Sequence, residues 1–584
     1  MSSITETNLE TSENIKYGVV EASNAQRIAM ALKRNGVNFI FGQSNPQTIM
    51  LAAMDLGIKQ IGFRQENSGS YMAQAYGMCS GTVPVVAAQN GPAATLLVPG
   101  LAECLKASHP IVAIVDEVAK SNEDRNAFQE MDQVQLFAGV AKWVKKIPSE
   151  DRIEDYVDMA FTAAASGRPG PAVLLCPKDL TYDKTKYTVK TLRKANLGNY
   201  PLDRTVADPV KIEEAAKILA QAKKPLIYAG GGVIASGACE VLRAIQEECA
   251  IPVATTTMGK GSVDELHPLT IGPIGYYMGN RGVTKFLKPM IQEADVILLV
   301  GNRTNQNGTD SWTLLPKDAM YIHIDIDPME IGRNYESLRL AGDAKLTLIE
   351  LKKYLLKNDL VKRINNRPFV EKTIANARKA HLKEAENVLS SELSPIKIER
   401  FLAELDNQLS DDHIIVADAS FSSIWLSNYI KAKGDRKFIF PRGIAGLGWG
   451  LPMAMGAKIA KPDNKVFCLS GDGGFAHVWS ELETCKREGI NVILTVINNE
   501  ILGYQKFSEQ AQWGRNTNAC ELTAVNHAKV AEACGVKGIR VESTKDIRSA
   551  LFEAFATEGP VVIDLVADPS SIPPIPFLSG LETV

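Results

Sequence analysis

The chain has 584 residues, of which 45% are hydrophobic and 22% charged, the usual composition of a globular protein. This length is too great for one hydrophobic core and predicts about three or four domains. The formal net charge of −3 gives no basic field, so nucleic acid is not an expected partner.

The cysteines and the composition of the N-terminal stretch indicate a reducing cellular compartment. The nine cysteines are scattered with no CxxC pair, which argues against a zinc site or a redox dithiol and suits a reducing environment. The N-terminal stretch is polar and lacks the apolar segment of a signal peptide. Because no run of about 18 apolar residues occurs, we expect no membrane span and predict a cytoplasmic location.

Short apolar runs alternate with amphipathic stretches along the chain. Being bounded by Gly, Pro or Asp, the runs are typical of parallel strands buried on both faces. Helical patterns such as 24–35 and 209–222 separate them, which predicts doubly wound α/β units. The apolar runs are 85–88, 111–115, 173–176, 226–229, 296–300, 321–326, 414–417, 466–470, 492–497 and 561–566.

Two polar stretches divide this alternation. Residues 181–208 are rich in Lys, Thr and Asp, and residues 356–394 are strongly charged and predict a helical linker. A Pro-rich end, 567–584, fits either a disordered tail or a flap over a site. We therefore expect three doubly wound α/β domains, at 19–185, 205–355 and 390–566, followed by this tail.

In the first predicted domain, Glu66 begins a helical pattern of small residues that includes Ala73, Ala75 and Gly77. Taken without any relative, Glu66 fits a solvated residue at the start of a helix.

In the second predicted domain, glycines and charged residues follow the apolar runs. A strand that ends in Gly-x-Arg, as at Gly301-Asn302-Arg303, can present a fixed guanidinium to a phosphate. Each of these segments is also a common α/β turn, so a domain of this type that binds no nucleotide stays open. The other segments are Gly230-Gly231-Gly232, Ile324-Asp325-Ile326-Asp327-Pro328 and Gly342-Asp343.

The strongest signal lies in the third predicted domain. Gly471-Asp472-Gly473 directly follows one apolar run, and the next run ends in Asn498-Asn499. Both turns are expected at the carboxyl edge of a parallel sheet, where doubly wound folds bind ligands. Carboxylate and amide oxygens suit Mg²⁺, and a helix N-terminus suits a diphosphate. An unrelated Asp-Gly turn and Asn pair is the alternative, and two strand ends at this spacing disfavour it.

These segments resemble the thiamine-diphosphate-dependent enzymes, whose signature is GDG followed by NN. In that family the Asp, the second Asn and a backbone carbonyl bind the metal. Carried over, the metal ligands are Asp472, Asn499 and the carbonyl of Ile501. The glycines that let the backbone approach the diphosphate are Gly471, Gly473 and Gly474.

The resemblance also gives Glu66 a role, because the family places a glutamate there against N1′ of the aminopyrimidine ring. That contact activates the neighbouring amino group to take the proton from thiazolium C2. In a dry cleft between domains, the pKa of this carboxyl should be raised.

Two further segments match cofactor-binding segments of the family. Leu447, following Gly446, corresponds to the bulky residue that props the cofactor into a bent shape. The loop after the run 414–417 corresponds to one that touches the diphosphate, although serines after a strand are often plain helix caps. The diphosphate contacts implied by that loop are Ala419, Ser420 and Ser422.

The resemblance covers nearly the whole chain and is greatest to the acetolactate synthase group. It implies a homodimer or homotetramer whose sites are shared between subunits. In that group, residues matching Phe128 and Gln129 line the substrate pocket, and the second domain binds FAD, with ADP or CoA in relatives. The implied nucleotide contacts here are Gly231, Gly232, Arg303, Asp325 and Asp343.

The expected reaction is decarboxylation of pyruvate or a similar 2-oxo acid, followed by carboligation. Gln129, and with it Gln43 and His109, are candidates to orient substrate oxygens, although a structural role for His109 is equally open.

The acceptor side departs from the synthases. The arginine that grips the second oxo acid is replaced by Asn307, and the tryptophan that selects the larger acceptor by Ser508. The segments 89–92 and 272–276 resemble sulfoacetaldehyde acetyltransferase instead. A lyase or acyltransferase, of that type or of the 2-hydroxyacyl-CoA lyase type, is therefore the alternative function.

Overall fold

The computed structural model describes residues 19–190, 193 and 195–581. It contains three six-stranded parallel sheets, each flanked by helices, which confirms the predicted fold class of three doubly wound α/β domains. Within the described residues, no helix combines the length and apolar character needed to cross a membrane.

The first domain contains the first six-stranded sheet and, outside it, a pair of strands formed by its first and last strands. Its elements are β1 (Val19–Ala22), α1 (Asn24–Arg34), β2 (Phe39–Phe41), α2 (Gln47–Asp55), β3 (Lys59–Ile61), α3 (Glu66–Ser80), β4 (Val85–Ala88), α4 (Pro92–Ala107), β5 (Ile111–Glu117), α5 (Gln133–Ala138), β6 (Trp143–Lys146), α6 (Ile153–Ala165), β7 (Pro171–Pro177), α7 (Lys178–Thr181) and β8 (Tyr187–Lys190). The strand order is β3-β2-β4-β5-β7-β6, and β1 pairs with β8 outside this sheet.

The packing of the first domain extends beyond the predicted boundary at residue 185. Strand β8 lies past that boundary and pairs antiparallel with β1. Farther on, the carbonyl of Gly198 accepts a hydrogen bond of 2.6 Å from the amide of Val83. The polar stretch after β7 therefore covers the first domain before the chain enters the second.

The second domain has a different strand order. Its elements are α8 (Pro209–Gln221), β9 (Pro225–Ala229), α9 (Gly231–Ala235), α10 (Cys239–Glu248), β10 (Val253–Thr255), β11 (Thr270–Pro273), α11 (Lys288–Gln292), β12 (Val296–Val300), β13 (Met320–Asp325), β14 (Ser337–Ala341) and α12 (Ala344–Leu355). The order β11-β10-β9-β12-β13-β14 is that of dinucleotide-binding folds, with its switch point between β9 and β12.

A single helix, α13 (Val361–Leu389), leads to the third domain, as the charged stretch predicted. The third domain consists of α14 (Ile398–Gln408), β15 (Ile414–Ala417), α15 (Phe421–Tyr429), β16 (Lys437–Ile439), α16 (Gly450–Ala460), β17 (Val466–Gly471), α17 (Asp472–Phe475), α18 (Glu481–Glu488), β18 (Ile493–Asn498), α19 (Gly503–Trp513), α20 (His527–Ala533), β19 (Lys537–Val541), α21 (Ile547–Ala556) and β20 (Val561–Val566). Its order β16-β15-β17-β18-β20-β19 repeats that of the first domain, so its switch point lies between β15 and β17.

The tail after β20 is ordered through residue 581, which corrects the disordered alternative for that part. Ile572, Ile575 and Leu578 are buried in the core of the third domain. The carbonyl of Pro574 accepts a hydrogen bond of 2.9 Å from Gly279 of the second domain. Residues 582–584 of the predicted tail lie outside the described residues.

The first and third domains meet where α3 packs against α16. The rings of Tyr71 and Trp449 lie 4.7 Å apart, and both side chains are buried. A Cβ on Gly456 would collide with the carbonyl of Met72, so the two helices approach this closely only with glycine there. Glu66, at the start of α3, is thereby fixed relative to the third domain of the same chain.

Candidate active site

The structure brings the two halves of the predicted metal motif together. Strands β17 and β18 pair in parallel, so the turns after them share one sheet edge. Asp472 Oδ2 accepts hydrogen bonds from the amides of Asn499 (3.2 Å) and Glu500 (2.7 Å), and Oδ1 accepts one from Gly473 (2.8 Å). Burial raises the pKa of Asp472 to about 6, although these amides act to lower it.

The chemistry of this edge fits a Mg²⁺–diphosphate group. Asp472 and Asn499 offer a carboxylate and an amide oxygen, the hard donors that Mg²⁺ takes alongside phosphate oxygens. A Cβ on Gly471 would meet no atom within 4 Å, so this turn faces open space. Ile501 is buried and forms an isolated antiparallel bridge with Glu521. The assignment of Asp472, Asn499 and Ile501 as metal ligands stays a prediction.

One buried carboxylate, Asp418, holds the predicted cofactor segments against each other. It follows β15 and is 1% exposed. It accepts hydrogen bonds from the amides of Ala419 (2.7 Å), Gly448 (3.2 Å) and Trp449 (3.2 Å), and from Ser470 Oγ (2.7 Å). Asp418 was assigned no role from the sequence, because its partners other than Ala419 lie far from it along the chain.

The diphosphate-side loop has a strained backbone. Ser420 has backbone angles φ 65° and ψ −142°. Residues other than glycine rarely adopt this conformation, and it recurs at functional sites. The carbonyl of Ser420 accepts a hydrogen bond of 2.8 Å from Ser423 Oγ. Ala419 and Ser422 are buried beside it. All three predicted loop residues thus lie at the switch point between β15 and β17.

Leu447 lies in the segment between β16 and α16, residues 440–449, here called the Leu447 loop. Its side chain is 40% exposed, whereas Trp449 is 1% exposed. The large apolar side chain of Leu447 is thus accessible at the sheet edge that carries Asp472. The same loop contains Gly446, which packs against the indole of Trp449.

A histidine that the sequence did not single out lies beside this loop. A Cβ added at Gly448 would be 2.8 Å from the Cβ of His477, whose side chain is exposed. The ring Nε2 of His267 lies 2.9 Å from Glu247 Oε2, within hydrogen-bond distance. The five remaining histidines, His109, His323, His381, His413 and His527, are buried.

Glu66 is half-buried at the first turn of α3, and burial raises the pKa of its carboxyl, the predicted direction. Its role against a pyrimidine ring stays a prediction. Nearby, Gln43 Nε2 donates to the carbonyl of Phe63 (3.3 Å).

The predicted substrate residues Phe128 and Gln129 lie at the switch point of the first sheet, beyond β2 and β4, whereas His109 precedes β5 at the opposite edge of that sheet. Gln89 Nε2 donates to Gln129 Oε1 (2.7 Å) and Asn45 Nδ2 to Gln89 Oε1 (3.3 Å). Phe128, next to Gln129, is 82% exposed. An apolar ring this exposed beside a polar network is available to a ligand or to a second subunit.

Two buried glutamates tie the first domain to the third. Glu481, at the start of α18, accepts hydrogen bonds from the amides of Arg64 (3.0 Å) and Gln65 (3.2 Å), directly before Glu66. In the opposite direction, Glu103 of α4 accepts hydrogen bonds from the amides of Gly443 (2.7 Å) and Ile444 (2.6 Å) in the Leu447 loop. Each carboxylate fixes the backbone next to a residue with a predicted cofactor role.

The Glu103 contact predicts a pH dependence of cofactor binding. Burial raises the pKa of Glu103 to about 7, against the effect of its amide donors. As pH falls through 7 the carboxylate takes up a proton and accepts the Gly443 and Ile444 amides less well. We therefore expect wild-type affinity for thiamine diphosphate to fall about tenfold between pH 8 and pH 6, as one to two hydrogen bonds weaken.

Glu103→Gln keeps one acceptor and cannot ionise, so its affinity should be lower at pH 8 and change less towards pH 6. Titration of tryptophan fluorescence with thiamine diphosphate and Mg²⁺ measures both proteins. The phosphate groups of the cofactor titrate equally in both, so parallel pH profiles would contradict the assignment.

A cavity of about 640 Å³ lies where the three domains meet. Gly230 follows β9 and Gly301 follows β12, and both line the cavity, so the cavity opens at the switch point of the second sheet. A Cβ on Gly232 would collide with the backbone of Gly301, which explains this glycine. All five residues predicted to contact a nucleotide line the cavity: Gly231, Gly232, Arg303, Asp325 and Asp343.

The charged residues of this cavity differ in how far they are already paired. Asp343 caps α12 and pairs with Arg204 (3.0 Å), so it belongs to the wall. Arg303, by contrast, makes no hydrogen bond or ion pair with any residue that the structure describes, and burial lowers the pKa of its guanidinium. His109 also lines the cavity, and burial lowers its pKa to about 4.

Comparison with known proteins matches all three domains. Residues 23–136, 212–351 and 418–565 match the N-terminal thiamine-pyrophosphate-binding, central and C-terminal thiamine-pyrophosphate-binding domains of thiamine pyrophosphate enzymes. Thiamine pyrophosphate is another name for thiamine diphosphate.

Curated relatives match over nearly the full length. A probable acetolactate synthase large subunit of Methanococcus aeolicus is 34% identical, covering 94% of this chain and 92% of the relative. An acetolactate synthase large subunit of Porphyra purpurea is 30% identical, covering 94% and 92%. An acetolactate synthase of Arthrospira platensis is 30% identical, covering 94% and 95%. The predicted resemblance is confirmed: the chain belongs to the thiamine pyrophosphate enzyme family and is similar to acetolactate synthases.

Proposed function

We propose that the chain is a carboligase that decarboxylates pyruvate or a similar 2-oxo acid and joins the remaining fragment to a second carbonyl compound. The observation that carries this proposal is the convergence of Asp472, Asn499, Asp418 and Leu447 at one sheet edge. The similarity to acetolactate synthases supports the choice of substrate class.

Thiamine diphosphate supplies the electron sink that decarboxylation of a 2-oxo acid requires. Around it, each residue has one task. Asp472, Asn499 and the Ile501 carbonyl hold Mg²⁺, and Leu447 sets the shape of the bound cofactor. Glu66 exchanges a proton with the ring nitrogen N1′, for which its raised pKa is suited. The groups that bind the diphosphate are Ala419, Ser420, Ser422, Gly471, Gly473 and Gly474.

The substrate is oriented by Gln129, and Phe128 covers it from water. The side chain of Gln129 is already fixed by Gln89 at 2.7 Å, so it meets the substrate in one orientation.

For the central cavity we propose FAD, with ADP or CoA as alternatives. The dinucleotide-type strand order and the unpaired guanidinium of Arg303 support a ligand that carries phosphates. Gly231 and Gly232 allow the backbone to approach it, and Asp325, at the end of β13, suits ribose hydroxyls.

We further propose a homodimer or homotetramer in the cytoplasm. Phe128, 82% exposed, and Leu447, 40% exposed, are large apolar groups that a second subunit would cover. Nine free cysteines, seven of them buried, suit a reducing compartment.

The function is tested by product analysis of the purified protein with thiamine diphosphate, Mg²⁺ and pyruvate. Release of CO₂ together with acetolactate, or with a mixed acyloin when a second 2-oxo acid is added, is the expected result. With sulfoacetaldehyde and phosphate in place of pyruvate, formation of acetyl phosphate and release of sulfite would instead identify an acyltransferase of the sulfoacetaldehyde acetyltransferase type. An absorption spectrum of the same preparation shows whether flavin copurifies.

A further inference from the structure

Arg442 is a half-buried cation that no described acidic group neutralises. Its Nη2 donates to Ser423 Oγ (2.6 Å) and its Nη1 lies 3.4 Å from the hydroxyl of Tyr276, and both partners are neutral. Its Nε is buried without a partner. Taking an arginine out of water without a counter-charge is costly, so the arrangement favours an anion at this position.

The position of Arg442 separates it from the metal motif. It follows β16 in the Leu447 loop, at the same carboxyl edge as Asp418 and Asp472. Strand β15 lies between β16 and β17, so the ends of β16 and β17 are roughly 10 Å apart. Arg442 therefore lies beside the cofactor segments without sharing the Asp472 turn.

The surroundings of Arg442 are the segments in which the synthase acceptor residues are replaced. Tyr276, which it contacts, donates its amide to the carbonyl of Asn307 (2.8 Å), the position where a synthase arginine was expected. Tyr504, in the first turn of α19, is 37% exposed. Burial raises the pKa of Tyr504, Tyr276 adds to the rise and the charge of Arg442 opposes it, as expected for three close groups.

The geometry points to Arg442 as the residue that binds the carboxylate of the acceptor substrate, in place of the arginine absent at position 307. The inference rests on the proposed carboligase function. A guanidinium offers two parallel N–H donors to a carboxylate, and Ser423 already fixes its plane. Arg442 also lines the cavity between the domains.

The test compares a charged and a neutral acceptor in the same holoenzyme, with pyruvate as donor. The charged acceptor is 2-oxobutyrate and the neutral one propanal, and kcat/KM is measured for each from its own mixed product. In Arg442→Gln the ratio of 2-oxobutyrate to propanal should fall about 10- to 100-fold, the loss expected for a hydrogen bond between charged groups. Arg442→Lys keeps the charge but loses the two parallel N–H donors. Its ratio should lie between those of the wild type and Arg442→Gln.

Arg548→Gln is the matched control, because that arginine is 78% exposed on α21. The binding constant for thiamine diphosphate is measured by tryptophan fluorescence on each variant. An equal loss for both acceptors, with weaker cofactor binding, would assign Arg442 to the cofactor and overturn the inference. A second contrary result is that inorganic phosphate inhibits only the wild type, with the acceptor ratio unchanged in Arg442→Gln. That result would overturn the inference and assign Arg442 to phosphate binding. Failure of the wild type to release CO₂ from pyruvate would instead refute the proposed function.

Discussion

Replacing Asp472 with asparagine is expected to abolish Mg²⁺-dependent binding of thiamine diphosphate. The asparagine oxygen can still accept the amides of Asn499 and Glu500, so the turn should keep its backbone conformation. What is lost is the charge that a divalent cation requires. Because changes in outer-shell groups alone cost 10–100-fold in metal affinity, a ligand change should weaken binding by more than about 100-fold.

Binding is measured by tryptophan fluorescence with and without Mg²⁺, and after removal of the metal with EDTA. Metal removal from the wild type should give the weak binding seen in Asp472→Asn with Mg²⁺ present. Asp463→Asn, an exposed aspartate in the turn before β17, is the control and should bind as the wild type does. Retention of Mg²⁺-dependent binding by Asp472→Asn would remove this residue from the metal site.

The strands that carry this motif were predictable because they are buried on both faces. Strands β12 and β20 coincide with the predicted apolar runs, and β17 exceeds its run by one residue. Edge strands escape this criterion. Strand β14 has a single buried residue and β16 has only three residues, so neither gives an apolar run that can be recognised in the sequence. Strand order was equally beyond reach, since it depends on which sheet edge each helix crosses.

Which residues of the candidate site could be predicted from the sequence follows the same physical reasoning. The closeness of Asp472 and Asn499 was predictable because each directly follows a strand, and parallel pairing brings such ends together. Asp418 and Glu103 were not, because their partners are backbone amides, which no sequence pattern marks. Arg442 follows a strand too short to be recognised, and its meaning depends on a hydroxyl from another domain.

Glu66→Gln is expected to lower turnover by about 10²- to 10⁴-fold, the usual contribution of a positioned acid–base group, while cofactor affinity changes less than about threefold. Glutamine keeps the size and a hydrogen-bonding oxygen but cannot exchange a proton. The backbone at Arg64 and Gln65 stays fixed by Glu481, so the helix start should not move.

Steady-state turnover of pyruvate and fluorescence titration with the cofactor measure the two effects separately. A third readout, the rate at which the C2 proton of bound thiamine diphosphate exchanges with deuterium, does not depend on substrate and should slow in parallel with turnover. Glu240→Gln, an exposed glutamate on α10, is the control. If turnover and exchange both survive in Glu66→Gln, the proton at N1′ is handled elsewhere. A loss of affinity instead would make Glu66 a binding residue, because a carboxyl that acts only on the proton leaves the bound ground state nearly unchanged.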